Sequence, residues 1–179
     1  MIQRHRRLQV WPRVWFASAC LLSVMALLLS AVPSQTAQAL ENLEQFPRSA
    51  LNIHTRQGLE WFTVWIADTP ARSQQGLMFL KWLPEDRGML FPQEAPRVTS
   101  MWMKNTLIPL DMLFVDAQGR VAYIRERATP QSEEIITAPV PVKAVLELAG
   151  GECAKLGIRV GDHVRHQLFG SAPEGPVRN

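Results

Sequence analysis

Val98-Thr99-Ser100-Met101-Trp102-Met103-Lys104-Asn105-Thr106-Leu107-Ile108-Pro109-Leu110-Asp111-Met112-Leu113-Phe114-Val115-Asp116 reads as two strands, residues 98–103 and 110–115, joined by a short loop. Lys104, Asn105 and Asp111 stand there beside some of the bulkiest apolar residues in the chain. Polar groups in so apolar a setting need either water or a partner. The remaining domain reads as a scaffold holding this corner.

Outward from it, short alternating runs recur, punctuated by Gly, Pro and Asp. Residues 51–55 and 59–67 suggest a strand pair around the turn Arg56-Gln57-Gly58, with Phe62, Val64 and Ile66 alternating against Trp61, Thr63 and Trp65. Asp68-Thr69-Pro70 is a helix start, and Gly76 a stop. Met89-Leu90-Phe91 suggests a short buried strand ended by Pro92, and Asp116-Ala117-Gln118-Gly119 a hairpin turn into a strand over residues 120–127. An edge segment near Ile135, an alternating strand over 143–148, a brief helix over 152–156 and a last strand over 163–168 follow. No segment keeps a long 3.6-residue period. The pattern predicts a mainly β fold, an antiparallel β-sandwich or distorted barrel with one or two short helices.

Residues 1–39 read as a signal peptide. Arg4, Arg6, Arg7 and Arg13 precede a hydrophobic run over 14–32, and Ala37-Gln38-Ala39 has cleavage-site character. The alternative is an uncleaved anchor, since the run approaches spanning length. Residues 40–50 then form a flexible lead-in, residues 51–169 a single β-rich domain and residues 170–179 a disordered tail. Either way the domain is exported, periplasmic or extracellular, and touches a membrane only through an uncleaved N-terminus. Four of the 19 Lys and Arg precede Leu40, which leaves 15 against 16 acidic residues, a net charge of −1. Nucleic acid is therefore not implied as a partner. Cys153 is the one cysteine after residue 39, so an intrachain disulfide is excluded there, and it reads as a small buried apolar residue.

In order along the chain stand Gly76-Leu77-Met78-Phe79, Gly88-Met89-Leu90-Phe91, Trp102-Met103-Lys104-Asn105-Thr106-Leu107-Ile108-Pro109-Leu110-Asp111, Asp116 with Gly119-Arg120-Val121, Val145-Leu146-Glu147-Leu148 with Gly150, and Gly157-Ile158 with Gly161-Asp162. Together they resemble the DUF192 family, over roughly residues 53–164. The resemblance implies a small, mainly β, sandwich-like fold of bacterial and archaeal proteins, often behind a signal peptide, and no established activity. Two family features are absent here: a basic residue after G-L-M-F, where Leu80 stands, and a cysteine near residues 129–138.

The leading expectation is a cleft for a small polar ligand or cell-envelope component, floored by Trp102 and Met103 and edged by Lys104, Asn105, Thr106 and Asp111. Lys, Asn and Asp together offer donors and acceptors for a carboxylate, amide or hydroxyl. The structural alternative has Asp111 pairing with Lys104 or accepting loop N–H groups. A second expectation is a hydrolase-like envelope enzyme using Lys104 with Asp111, although no Ser-His-Asp, Cys-His or paired-carboxylate arrangement stands out. A third is a protein-interaction patch of Trp61 and Trp65. Met78, Met89, Met101, Met103 and Met112 could suit Cu(I), or simply fill the core. No cofactor and no clustered metal ligands are expected. His163 and His166 read as surface residues. Glu147, opposite Leu146 and Leu148, is expected in solvent; if buried, it needs a partner such as Lys104 or Arg120.

Overall fold

The computed structural model describes residues 40–173. The expected signal segment, residues 1–39, and the end of the expected tail, residues 174–179, lie outside them. A hairpin opens the fold: β1 (Arg48–Thr55) and β2 (Gly58–Ile66) pair from Arg48↔Trp65 to Thr55↔Gly58. The chain then crosses through α1 (Pro70–Gln75) and returns as β3 (Arg87–Arg97), parallel to β2. Parallel neighbours require such a crossover, so this pair departs from the expected all-antiparallel arrangement. After β4 (Ser100–Met101), the strands β5 (Leu110–Val115) and β6 (Val121–Ala128) form the second hairpin. β7 (Ile136–Thr137), β8 (Val142–Ala149), α2 (Glu152–Leu156) and β9 (His163–Arg165) complete the chain order.

Seven strands make one sheet in the order β6-β5-β8-β3-β2-β1-β9, while β4 and β7 form a separate two-stranded ladder. The large sheet curls until its two edges meet. Arg120 bridges His163, Val121 N–H donates to the Asp162 carbonyl at 2.9 Å, and Val164 N–H to that of Gly119 at 2.7 Å. Gly119 permits the closure: its φ is 81°, and a Cβ there would lie 2.6 Å from the Val164 oxygen. Of the two expected architectures, the distorted barrel is the one formed.

Strand alternation divides the core in two. Leu51, Ile53, Phe62, Val64, Leu113, Leu146 and Val164 fill the inside of the curl. Trp65, Met89, Phe91, Met112, Phe114 and Val145 point out of it and are roofed by the loops around Phe46, Leu77, Met103 and Ile136. Each such side chain contributes about 1.5–3 kcal/mol on burial, so packing can hold the domain without a disulfide. Gly88, on β3 beside β8, has no room for a side chain: a Cβ there would sit 2.5 Å from the Glu147 carbonyl oxygen.

Several local expectations change. The lead-in is folded onto the domain: β1 begins at Arg48, Phe46 is buried, and a 3-10 turn occupies Leu43–Gln45. Residues 98–103 supply only the two-residue β4, because their ladder partner, β7, is itself two residues long. β3 runs through Pro92, where its register on β8 shifts. Near the C-terminus, His166 is buried, not on the surface. Its Nδ1 accepts from Leu168 N–H at 3.1 Å, which leaves Nε2 to donate to Ser49 Oγ at 2.9 Å.

Candidate functional site

Two walls rise from the outer face of the sheet. The first is α1 and the turn after it. Thr69 Oγ1 accepts from Arg72 N–H at 3.2 Å and caps the helix. Arg72 in turn binds the Glu41 carboxylate at 2.7 and 3.0 Å and Asp68 at 2.8 Å. Gln75 joins the same lead-in through Glu41 N–H and carbonyl, both at 2.7 Å. The second wall is the segment from Ser100 to Thr106. Met103 N–H donates to the Ser132 carbonyl and Gln131 N–H to that of Thr106, both at 3.0 Å. Three non-glycine residues with positive φ, Phe79 (61°), Asn105 (58°) and Gln131 (59°), meet where the walls join, for Phe79 N–H donates to the Asn105 carbonyl at 2.9 Å. Backbone strain of this kind collects at binding sites.

Between the walls lies a cleft of about 100 Å³. Ser73, Gly76 and Met78 line one side, Met101, Trp102, Lys104 and Thr106 the other, and Phe91 and Glu147 come from the sheet below. A larger groove of about 580 Å³ shares Ser73, Phe91, Ser100 and Met101 with it and runs on along the far half of β3.

Glu147 overturns the solvent expectation. β8 is covered on both faces, so alternation moves a side chain from one core to the other and never into water. Glu147 is 4% exposed. Among the described residues no hydrogen bond or ion pair reaches its carboxyl, and desolvation alone pushes its pKa up to about 8. Neither guessed partner serves it. Lys104 Nζ instead lies 3.5 Å from Glu133 and 5.4 Å from the centroid of the Trp102 ring, a cation–π contact at the cleft rim.

The residues expected to form one site are partly separated. Trp102, Lys104 and Thr106 line the cleft, whereas Met103 is buried behind the wall. Asn105 turns outward, its Nδ2 3.8 Å from Met78 Sδ, and braces the wall. Asp111 is elsewhere: alternation on β5 puts it on the inner side, away from Leu110 and Met112. It is fully buried and accepts three backbone N–H groups, from Arg127 at 2.8 Å, Gly151 at 3.0 Å and Cys153 at 2.8 Å. Asp111 therefore ties β6 and α2 to β5, the structural alternative. The Lys104–Asp111 acid/base pair does not form. Burial, with Asp111 beside it, pushes the Cys153 thiol up and leaves it unreactive.

Trp61 and Trp65 do not make an exposed pair either. Trp61 is half-buried and Trp65 is packed in the outer core. Among the described residues the exposed aromatics are Trp82 at 70%, Phe79 at 49% and Trp102 at 41%. Trp65 and Trp82 share a groove of about 470 Å³ with Arg48 and Arg87. Of the methionines, Met89, Met103 and Met112 are core filler, while Met78 and Met101 reach the cleft. Among the described residues no three His, Cys, Asp or Glu side chains are placed to hold a metal ion. Sequence reasoning missed Phe91 and the wall from Ser73 to Met78, and it singled out Glu147 without placing it at the cleft. The one legible signal was an acid inside an otherwise apolar strand.

Solved structures that share the fold include two from bacteria. A protein of Sinorhizobium meliloti 1021 with a suggested transcription-regulator role is 39% identical, with a TM-score of 0.67 over 69% of this chain and 96% of that one. A protein of unknown function from Novosphingobium aromaticivorans DSM 12444 is 36% identical, with a TM-score of 0.68 over 74% of this chain and 94% of that one. No curated protein sequence matches the chain. The DUF192 profile, described as Uncharacterized ACR, matches residues 52–166, and the chain belongs to that family.

Proposed function

We propose that this chain is an exported, single-domain binding protein whose outer cleft takes up a small polar ligand of the cell envelope. The observation that carries the reading is the Glu147 carboxyl, buried at the cleft floor without a partner among the described residues. Such a group costs several kcal/mol when charged, and a ligand that satisfies it recovers part of that cost on binding. The rim supports the same reading: Trp102 offers a half-exposed ring and Lys104 a charge held over it. Export rests on the basic segment, apolar run and A-x-A triplet of residues 1–39. The near-neutral charge balance after residue 39 gives no support for carrying the regulator role suggested for the S. meliloti protein over to this chain.

The test is native mass spectrometry of the protein purified from its own envelope, with metal analysis of the same sample. A retained small mass, lost in Glu147→Gln and Trp102→Ala variants, is the expected result. Identical bare masses for all three proteins would overturn it. A second reading, proton transfer during a reaction, draws on the same carboxyl, whose pKa of about 8 suits exchange near neutral pH. It requires a variant, Glu147→Gln, that still binds the retained molecule yet no longer converts it.

A further inference from the structure

Resting on the cleft reading, the geometry points to a ligand class: we infer that the cleft receives a terminal primary ammonium group, with Glu147 and the Thr106 hydroxyl as its acceptors. Thr106 is 6% exposed and, like Glu147, has no side-chain hydrogen bond among the described residues. Both line the same small space. An ammonium group carries three donors and no acceptor, the complement of a carboxylate and a hydroxyl oxygen. The lining also includes groups that favour a desolvated cation, the rings of Trp102 and Phe91 and the polarizable sulfurs of Met78 and Met101, alongside the Lys104 charge at the rim.

Lys104 does not fill this role, because its charge is directed to Glu133 and Trp102 and contributes nothing to the ionisation of Glu147. At roughly 30 Å³ per water-sized volume, the cleft holds the head of an alkylamine and its first carbons. The adjoining groove, of about 580 Å³, accommodates the tail. Binding is coupled to a proton. Near neutral pH the apo carboxyl is mostly protonated, so pairing it with a cation releases that proton to solvent and leaves a carboxylate–ammonium pair.

Titration calorimetry of the purified full chain with butylammonium, in two buffers of different ionisation heat at pH 7, tests this directly. Close to one proton leaves per amine bound, and affinity rises as the pH increases from 6 to 8. Glu147→Gln weakens butylammonium by about tenfold or more and abolishes proton release. Thr106→Val and the rim variant Trp102→Ala, which disturbs no core contact, weaken it less and retain the release. Spermidine and Nα-acetyl-lysine amide carry the same head on a polycationic and a peptide-like tail, and whichever binds more tightly identifies the source. Butyrate or butanol binding as tightly as butylammonium, in a Glu147-dependent manner, overturns the ammonium class and leaves the binding cleft standing. Equal affinity for butylammonium in Glu147→Gln overturns the assignment of Glu147. Failure of every probe overturns the ammonium class; joined to a bare mass from the envelope, it overturns the cleft reading too.

Discussion

Titrating Glu147 should make this protein less stable as the solution becomes more alkaline. Its folded pKa of about 8 lies above the ordinary 4.5, so between those values the folded state holds a proton that the unfolded chain has lost. Its stabilising share is fully present below 4.5 and is lost as pH rises through 8. At about 1.4 kcal/mol per tenfold change in the proton equilibrium, the span is worth about 5 kcal/mol, an upper figure because the cleft can admit water to the ionised group. Urea unfolding of wild type and Glu147→Gln at pH 4.5, 6, 7.5 and 9 isolates this contribution, since every other titrating group is common to both. Relative to wild type, the variant should gain several kcal/mol between pH 4.5 and 9, with equal slopes against urea. Parallel stability curves for the two proteins would mean that Glu147 ionises as freely as in water. The unpartnered floor, and everything built on it, would then be wrong.

Asp111→Ala should leave three N–H groups, the buried one of Cys153 and the part-buried ones of Arg127 and Gly151, without their acceptor and cost about 2–4 kcal/mol, read as a lower urea midpoint; a change under about 1 kcal/mol would refute its tying role. Burial lowers the pKa of His166 below the ordinary 6.5, so the unfolded chain binds the extra proton and stability falls as pH drops below 6.5. His166→Gln should flatten that acid limb of the thermal unfolding profile, and an unchanged limb would exclude the Ser49–His166–Leu168 arrangement as its source. Gly88→Ala would drive a Cβ to 2.5 Å from the Glu147 backbone and 2.9 Å from the Leu148 side chain. It should destabilise by about 1–3 kcal/mol or more and weaken any ligand held by Glu147, both measurable on one preparation.

Chain order, strand alternation and turn chemistry were legible because they are local. Thr69-Pro70 caps α1 where it stands, Asp116 takes the N–H groups of Gln118 and Arg120 in the second hairpin, and the two brief helices fall where glycine punctuation puts them. Of the W-M-K-N-T run, Trp102, Lys104 and Thr106 line the cleft. The lead-in was misread because its order comes from residues about thirty positions away: Arg72 and Gln75 reach back to Glu41. Glu147 and Asp111 exchanged their expected roles for a related reason. Period-two alternation says which residues share a face but not which face meets water, and a curled sheet covered on both sides offers none.

The sequence by itself determined a mainly β fold and the identity of the polar residues that such a fold must accommodate, because propensity, periodicity and turn residues act over a few positions. Which of those residues face one another was decided only by the tertiary structure. Curling the sheet sent Asp111 inward to three backbone amides and left Glu147 outward beneath a roof where no cation among the described residues meets it. That difference is set by contacts between strands far apart in the chain, where the energies of burial and hydrogen bonding are decided.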